Sequence, residues 1–305
     1  MTATIHRSMN AQVWGLLVLL GIIWGGSFFF GRIAVQFIPP MTLVLARVGL
    51  AAIALHVVFG RLPGFYASMA NRWRELLLLG LLNNAIPFTL IFAGQIEVGA
   101  GVASIFNATT PLWTVVIAQV LTVDEKISPA KLIGCVLGFA GMVLLIGPAA
   151  LGIDDSPLWA KLAFIGAAIS YGFAATYSKR FKGLSPRITA TGQLTASSLI
   201  MLPLAIAVDQ PWTLPMPPLD VIAAVLALAL VSTAFAYILF FRILGAAGAT
   251  SASLVTLLVP PAAIILGVAF LGETLSLTEV LGLGLIALGL LSLDNRLAIK
   301  WLHKA

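Results

Sequence analysis

The chain has 305 residues, of which 60% are hydrophobic and only 9% are charged, and its formal net charge is +6. A soluble domain carries about 25% charged residues and must cover itself with water-compatible surface, so this composition excludes an ordinary soluble globular fold. The basic residues form no long patch, which disfavours nucleic-acid binding, and the single cysteine, Cys135, excludes an internal disulfide framework.

Ten apolar runs follow one another along the chain, and each is close to the length that crosses a bilayer. A helix needs about 20 residues to cross the hydrocarbon core, and lipid offers no partner for unpaired backbone groups, so each run is predicted to be helical. The first run lacks a clean cleavage site and is interpreted as a span rather than as a signal peptide. In chain order, the predicted spans are Val13–Ile33, Met41–Phe59, Leu76–Ala93, Gly99–Val120, Leu132–Ile146, Leu158–Tyr177, Thr189–Val208, Val221–Phe241, Thr250–Phe270 and Leu277–Leu293.

The basic residues divide unequally between the two sides of these ten spans. If the N-terminus lies inside, 14 of the 17 Lys and Arg residues fall on inside segments, whereas only Arg32 and Lys161 fall outside and Arg47 lies within a span. Because Lys and Arg are enriched in cytoplasmic loops, we predict that both termini are cytoplasmic.

The second half of the chain repeats features of the first half. The segment Gly99-Ala-Gly-Val-Ala-Ser104 is followed by Pro111, and the segment Gly248-Ala-Thr-Ser-Ala-Ser253 is followed by Pro260. In both halves the proline comes 12 residues after the first glycine. The chain is therefore predicted to contain two similar units.

We place these units at residues 13–148 and 158–295, with five spans in each. An odd number of spans forces the second unit to enter the membrane upside down relative to the first. Inverted repeats are the architecture of many secondary transporters, whose substrate site lies near the midplane between the repeats. The predicted fold is thus an all-α membrane protein with ten transmembrane helices in two inverted five-helix repeats.

Signals of enzymatic chemistry are weak in this sequence. A phosphate-binding loop that ends in Gly-Lys-Ser/Thr is absent, and the three histidines form no cluster at metal-ligand spacing. The run Gly282-Leu-Gly284-Leu-Ile-Ala287 formally fits a dinucleotide fingerprint, but it lies inside an apolar helix with no preceding strand, where glycines promote helix packing. We therefore predict a protein that is not an enzyme and has no catalytic residue, no metal site and no cofactor.

Neutral polar residues lie in the middle of several predicted spans, where they are costly unless they face a cavity or a partner. Serine and threonine in such helices often bond to their own backbone, but the paired Asn83 and Asn84 and the mid-span Asn107 are harder to explain in that way. With the aromatic residues interleaved among them, they predict a neutral cavity for a solute that is partly apolar. The candidate lining residues are Trp24, Phe28, Asn83, Asn84, Phe88, Asn107, Trp113, Tyr171 and Tyr237.

Three further residues within the spans allow two interpretations each. Pro111 and Pro260 occupy equivalent places in the two halves, and a mid-helix proline bends the axis, so we predict that they act as hinges; kinks that only shape packing are the alternative. Arg47 is either a counter-charge for a carboxylate or a structural group that binds carbonyls or reaches the outer face. The sequence favours the structural role for Arg47.

Several of these features together resemble the drug/metabolite transporter superfamily, and more narrowly its EamA-type members. The resemblance implies a basket-like ten-helix fold and export from the cytoplasm across a bacterial inner (plasma) membrane. Within the family, the chain is similar to exporters of aromatic and other hydrophobic amino acids. Relatives that expel cations use a glutamate in the first span, and this chain has none there. The features are Trp24-Gly25, Arg47, Gly99-Ala-Gly101 with Pro111, the acidic turns at Glu125 and Glu273, and the glycine-rich fifth and tenth spans.

We therefore expect an inner-membrane exporter of neutral or zwitterionic metabolites, above all aromatic and hydrophobic amino acids, that works by alternating access. The expected partners are the amino-acid substrate and the lipid bilayer, without nucleic acid, and the expected state is a monomer or weak homodimer. Broader drug or metabolite efflux is the main alternative. A passive channel and an enzyme acting on lipid head groups are further alternatives, and the enzyme would need a His, Asp or Glu cluster that the sequence lacks.

Overall fold

Helices form all of the regular structure in the residues that the computed structural model describes, which are 11–121, 129–150, 156–181, 183–240, 242–243 and 255–293. Ten of the helices coincide with the predicted spans, and α3 is a short additional helix in the loop after α2. The helices are α1 (Ala11–Val35), α2 (Pro40–Phe59), α3 (Phe65–Asn71), α4 (Trp73–Glu97), α5 (Ala100–Leu121), α6 (Pro129–Ala150), α7 (Leu158–Ser178), α8 (Pro186–Asp209), α9 (Leu219–Phe240), α10 (Val255–Leu271) and α11 (Leu277–Leu293).

Seven of these helices, α1, α2, α4, α5, α7, α8 and α9, are long and apolar enough to cross a membrane. Helices α6, α10 and α11 contribute shorter apolar stretches, Leu132–Leu145, Leu258–Leu271 and Leu277–Gly289. The first residues of the predicted ninth span, 250–254, lie outside the described residues. The predicted class, an all-α membrane protein of ten helices in two repeats, is confirmed.

Each of the ten long helices packs chiefly against helices of the other half of the chain. Helix α1 packs on α10 and α9, α2 packs on α8 and α9, α4 packs on α7 and α8, α5 packs on α7 and α10, and α6 packs on α11. Exchanging the halves maps the pair α1–α10 onto α7–α5, and the pair α2–α9 onto α8–α4. This symmetry is what two interlocked inverted repeats produce.

Glycines permit the closest of these helix approaches. A Cβ atom on Gly289 of α11 would lie 2.6 Å from the carbonyl oxygen of Gly134 in α6, and a Cβ atom on Gly25 of α1 would lie 2.5 Å from the Cβ atom of Ala262 in α10. Small residues allow such approaches in lipid, where the hydrophobic effect does not draw helices together. The glycine-rich fifth and tenth spans thus pack on one another within the chain.

The two symmetric prolines differ in their local structure. Helix α5 is interrupted between Asn107 and Thr110, one residue before Pro111, whereas α10 runs without a break through Pro260. Pro111 has no N–H for the carbonyl oxygen of Asn107, four residues earlier. That oxygen instead accepts a hydrogen bond from the Thr110 hydroxyl at 2.7 Å. The hinge role of both prolines stays a prediction.

Candidate functional site

Helix α4 contains one wide π-helical turn, Leu81–Ala85, which carries both predicted asparagines of the site. Pro87 follows this turn and has no N–H, so the carbonyl oxygen of Leu82, five residues earlier, has no backbone donor. Ser170 of α7 supplies the missing donor, because its hydroxyl lies 2.7 Å from that oxygen. The sequence Leu-Leu-Asn-Asn-Ala-Ile-Pro thus leaves a gap in the helical ladder that another helix fills.

Helix α8 approaches the start of the same turn closely. The Ser197 hydroxyl lies 3.0 Å from the carbonyl oxygen of Gly80 and 2.7 Å from that of Gln193, so its single proton is shared between these two acceptors. A Cβ atom at Gly80 would lie 2.7 Å from the Gln193 carbonyl oxygen, so this contact requires glycine. Helices α4 and α8, one from each half, are therefore held together beside the asparagines.

Four buried or half-buried side chains form one network, here called the amide–tyrosine network, and Tyr237 links the two asparagines because its hydroxyl accepts a bond from the Asn83 amide at 3.4 Å. The members are Asn83, Asn84, Gln193 and Tyr237, with Ser197 at the edge. The Asn83 amide donates to the Gln193 amide oxygen at 3.0 Å. The Tyr237 hydroxyl donates to the Asn84 amide oxygen at 3.2 Å, and the Asn84 amide donates to the Ser197 hydroxyl at 3.0 Å. All these groups are neutral, and they come from α4, α8 and α9.

Arg47 of α2 lies beside this network and is buried. Its Nε donates a hydrogen bond to the Thr233 hydroxyl at 2.9 Å. Its guanidinium carbon lies 3.8 Å from the centre of the Phe88 ring, a cation–π contact. The phenol groups of Tyr171 and Tyr237 lie close enough to influence its charge. Three of the predicted lining residues therefore meet at one arginine.

Thr233 is held for this contact by a second wide turn, Ala227–Phe235 in α9. Its hydroxyl donates to the carbonyl oxygen of Leu228, five residues earlier, at 2.8 Å. Because that bond uses the single hydroxyl proton, the oxygen faces Arg47 as an acceptor. The wide turn thus orients the one described hydrogen-bond partner of the guanidinium.

Asn107 and Trp113 lie on either side of the break in α5. The Asn107 side-chain oxygen and the Trp113 indole nitrogen are buried and lack a hydrogen-bond partner among the described residues. The Trp113 ring packs edge-on against Phe139, with ring centres 5.0 Å apart. Buried polar atoms are normally paired, so these two atoms leave one acceptor and one donor open for a ligand or water.

Trp24 and Phe28, both on α1, lie in other surroundings. Trp24 is half-buried and packs against Phe240, with ring centres 5.6 Å apart. Phe28 is buried, and its carbonyl oxygen accepts a hydrogen bond from the Gln95 side chain at 2.8 Å. The described hydrogen bonds and ring contacts place Asn83, Asn84, Phe88 and Tyr237 around Arg47, with Tyr171 nearby. Trp24, Phe28 and Trp113 belong to the same hydrophobic cluster as Phe88 but make no described hydrogen bond or ring contact with that group.

Sequence reasoning missed four residues of this arrangement or assigned them no part in the site. Gln193, Ser197 and Thr233 resemble the many polar residues that bond to their own helix. No local sequence feature distinguishes them from those residues. For Arg47 the sequence favoured a structural role, with a counter-charge for a carboxylate as the alternative, and its described hydrogen-bond partner is the Thr233 hydroxyl. One feature of the sequence could have indicated a functional role for Arg47. It is a cation about seven residues inside an apolar span that contains no acidic residue.

Comparison with known proteins gives one consistent result. The sequence profile described as the EamA-like transporter family matches residues 13–147 and again residues 158–293. The uncharacterized inner membrane transporter YedA of Escherichia coli K12 is 29% identical over 278 residues, which cover 90% of this chain and 88% of that protein. The uncharacterized transporter YoaV of Bacillus subtilis is 25% identical over 283 residues, which cover 90% and 95%.

Protein PecM of Dickeya dadantii is 28% identical over 267 residues, which cover 85% of this chain and 84% of PecM. A crystal structure with 20% identity superposes on 93% of this chain and 97% of its own, with a TM-score of 0.63. At that identity the superposition shows a shared fold.

Proposed function

Because this chain belongs to the EamA-like transporter family and is therefore a multi-pass membrane transporter, we propose that it exports small zwitterionic metabolites, above all aromatic and other hydrophobic amino acids. The observation that carries this proposal is the amide–tyrosine network beside the aromatic rings of Phe88 and Tyr171. Amides and hydroxyls suit the amino and carboxylate groups of an amino acid, and the rings suit its apolar side chain.

The location of the network supports transport by alternating access. Its members come from α4 in the first half and from α8 and α9 in the second half, so it lies between the inverted repeats. Substrate sites of inverted-repeat transporters lie in this position, where one repeat moves against the other around a fixed site. We further propose that Trp24, Phe28, Asn107 and Trp113 line the path in other conformations, with Pro111 and Pro260 as hinges.

The proposal also includes the orientation of the protein in the membrane and the direction of transport. The charge distribution supports cytoplasmic termini, and the relative YedA is named an inner membrane transporter. We place this chain in the bacterial inner membrane as an exporter that requires no cofactor, works as a monomer or weak homodimer and takes its substrate from the cytoplasm.

The test is counterflow of labelled phenylalanine, methionine and threonine into liposomes that contain the purified protein and unlabelled substrate. We expect saturable exchange. Tyr237→Phe should weaken exchange by about 3- to 10-fold, because one neutral hydrogen bond contributes roughly 0.5–1.5 kcal/mol. Tyr177→Phe, at the end of α7 and without a hydroxyl bond in the network, is the matched control.

Three results would contradict the proposal. If none of the three amino acids is exchanged, the proposal that amino acids are the substrates is wrong. Non-saturable flux indicates a channel. Equal competition by unrelated drugs and metabolites favours the alternative, broad efflux, which resistance profiles of over-producing cells would then define.

A further inference from the structure

We propose that Arg47 is the substrate-recognition residue that binds the carboxylate of the transported solute, so that the site selects solutes with a carboxylate next to an apolar group. This inference rests on the proposed function of the same site and deepens it. It assigns to one residue the chemistry that distinguishes an amino acid from an uncharged drug or an amine.

Arg47 is a buried cation without a counter-ion among the described residues. Arg47 has only 6% of its surface exposed and lies seven residues inside α2, about 10 Å along the helix from its start. In the part of the chain that the structure describes, Arg72 and Glu75 form a partly exposed ion pair at 3.8 Å. No described carboxylate forms an ion pair with Arg47. An isolated buried charge is costly, and intramembrane charges mark substrate pathways.

Part of the Arg47 guanidinium stays open. Nε is occupied by the Thr233 hydroxyl, and one face is covered by the Phe88 ring. No described residue accepts a hydrogen bond from the two terminal nitrogens. A planar fork of two parallel N–H groups is the geometry that binds a carboxylate through both of its oxygens. Thr233 and Phe88 therefore orient the group and leave its carboxylate-binding edge available.

The amide–tyrosine network lies beside that edge. Tyr237 is near Arg47 and donates a hydrogen bond to Asn84. The Asn83 side-chain oxygen accepts no bond from a described residue, since the Asn83 bonds run from its amide nitrogen. An α-amino acid with its carboxylate on Arg47 would meet neutral acceptors for its ammonium group in this network. Its side chain would contact the rings of Phe88 and Tyr171.

The first experiment measures ligand binding by thermal unfolding of the full-length protein in detergent. The probes are phenylalanine, 3-phenylpropionate, which keeps the carboxylate, and phenylethylamine, which lacks it. We expect the wild type to prefer the two carboxylates. Arg47→Met should lower the apparent affinity for both carboxylates by about 10- to 100-fold and leave the affinity for phenylethylamine unchanged or higher.

A second readout separates this role from a structural one. Removing an uncompensated buried charge should leave the ligand-free Arg47→Met protein as stable as the wild type, or more stable. Arg47→Lys keeps the charge without the planar fork, so it should fold and bind carboxylates about tenfold more weakly than the wild type. Arg32→Gln is the control, because Arg32 binds the carbonyl oxygens of Gln95 and Ile96 at the end of α4 and should retain the preference.

The inference is overturned if the wild type does not prefer carboxylates, or if Arg47→Lys and Arg47→Met retain that preference. Failure of the proposed function is distinguishable from this outcome. A wild type that prefers carboxylates through Arg47 but exchanges no amino acid in liposomes supports the inference and removes the amino-acid proposal. If Arg47→Lys exchanges phenylalanine with an unchanged KM, the amino-acid proposal is supported and the role of Arg47 is contradicted.

Discussion

The carboxylate of Glu273, in the second half of the chain, accepts a hydrogen bond from the backbone N–H of Ala100, at the start of α5 in the first half, at 2.6 Å. Its other oxygen accepts a bond from the N–H of Gly101 at 3.0 Å. The first N–H groups of a helix have no partner within the helix, and their end of the helix is partly positive. One side chain thus caps a helix of the opposite repeat, at the face predicted to lie outside.

Loss of this cap should destabilise the protein. Glu273→Ala is expected to lower the free energy of unfolding by about 1–2 kcal/mol, because two helix N–H groups lose a charged acceptor. The measurement is unfolding by detergent titration in mixed micelles. Glu279→Ala is the control: its carboxylate binds the N–H of Ser276 in an exposed turn at 2.7 Å, so it should cost less. Equal losses in both variants would contradict a special role for Glu273.

The bond from Ser170 to the Leu82 carbonyl predicts a coupling with Pro87. Ser170→Ala should cost about 1–3 kcal/mol, because a buried carbonyl loses its donor. Pro87→Ala restores a backbone N–H at the residue that creates the gap. In the double variant we therefore expect the cost of removing Ser170 to fall by about 1 kcal/mol.

The same unfolding assay measures this double-mutant cycle. Ser178→Ala removes a hydroxyl that donates to the Ala175 carbonyl in an exposed last turn, and it should change stability by less than about 0.5 kcal/mol. Additive effects of the Ser170 and Pro87 substitutions would show that Pro87 does not create the demand that Ser170 meets.

Two glycines on α1 should respond oppositely to alanine. At Gly25 the added Cβ would lie 2.5 Å from the Ala262 Cβ and 2.9 Å from the Ala263 backbone nitrogen, so Gly25→Ala should cost about 1–3 kcal/mol through overpacking. At Gly15 no atom lies within 4 Å of such a Cβ, and alanine should stabilise the helix by up to about 1 kcal/mol. Thermal unfolding of both variants tests this, and a stabilising Gly25→Ala would refute the close α1–α10 contact.

The predicted orientation can be tested with single cysteines in a Cys135→Ser background. Thr213 and Ser185 are both exposed, in the loops after α8 and before α8 respectively. Thr213→Cys should react with a membrane-impermeant maleimide in intact cells, and Ser185→Cys should react only after the membrane is opened. The opposite labelling pattern would show that the predicted orientation is wrong, and the predicted direction of transport would then be reversed.

Much of the fold was predictable because its causes are local. An apolar run of about 20 residues has few alternatives to a helix in lipid, and the ten predicted spans appear as helices. The Asn83–Asn84 pair stood out in the sequence because two adjacent amides within an apolar span need partners. The short helix α3 and the π-helical turns were not predicted. The wide turn in α4 depends on a donor from another helix, Ser170 of α7. The candidate lining residues remain predictions as a substrate site.

The amino-acid sequence by itself determined the class of molecule, the ten long helices and the inverted repeat, because hydrophobicity and chain length act within each segment. Only the tertiary structure decided which polar groups meet. Arg47 and Thr233 are 186 residues apart in sequence, and Ser170 and Leu82 are 88 apart. Such pairs depend on the packing of two interlocked halves, and a single sequence contains no local signal of which hydroxyl will face which charge.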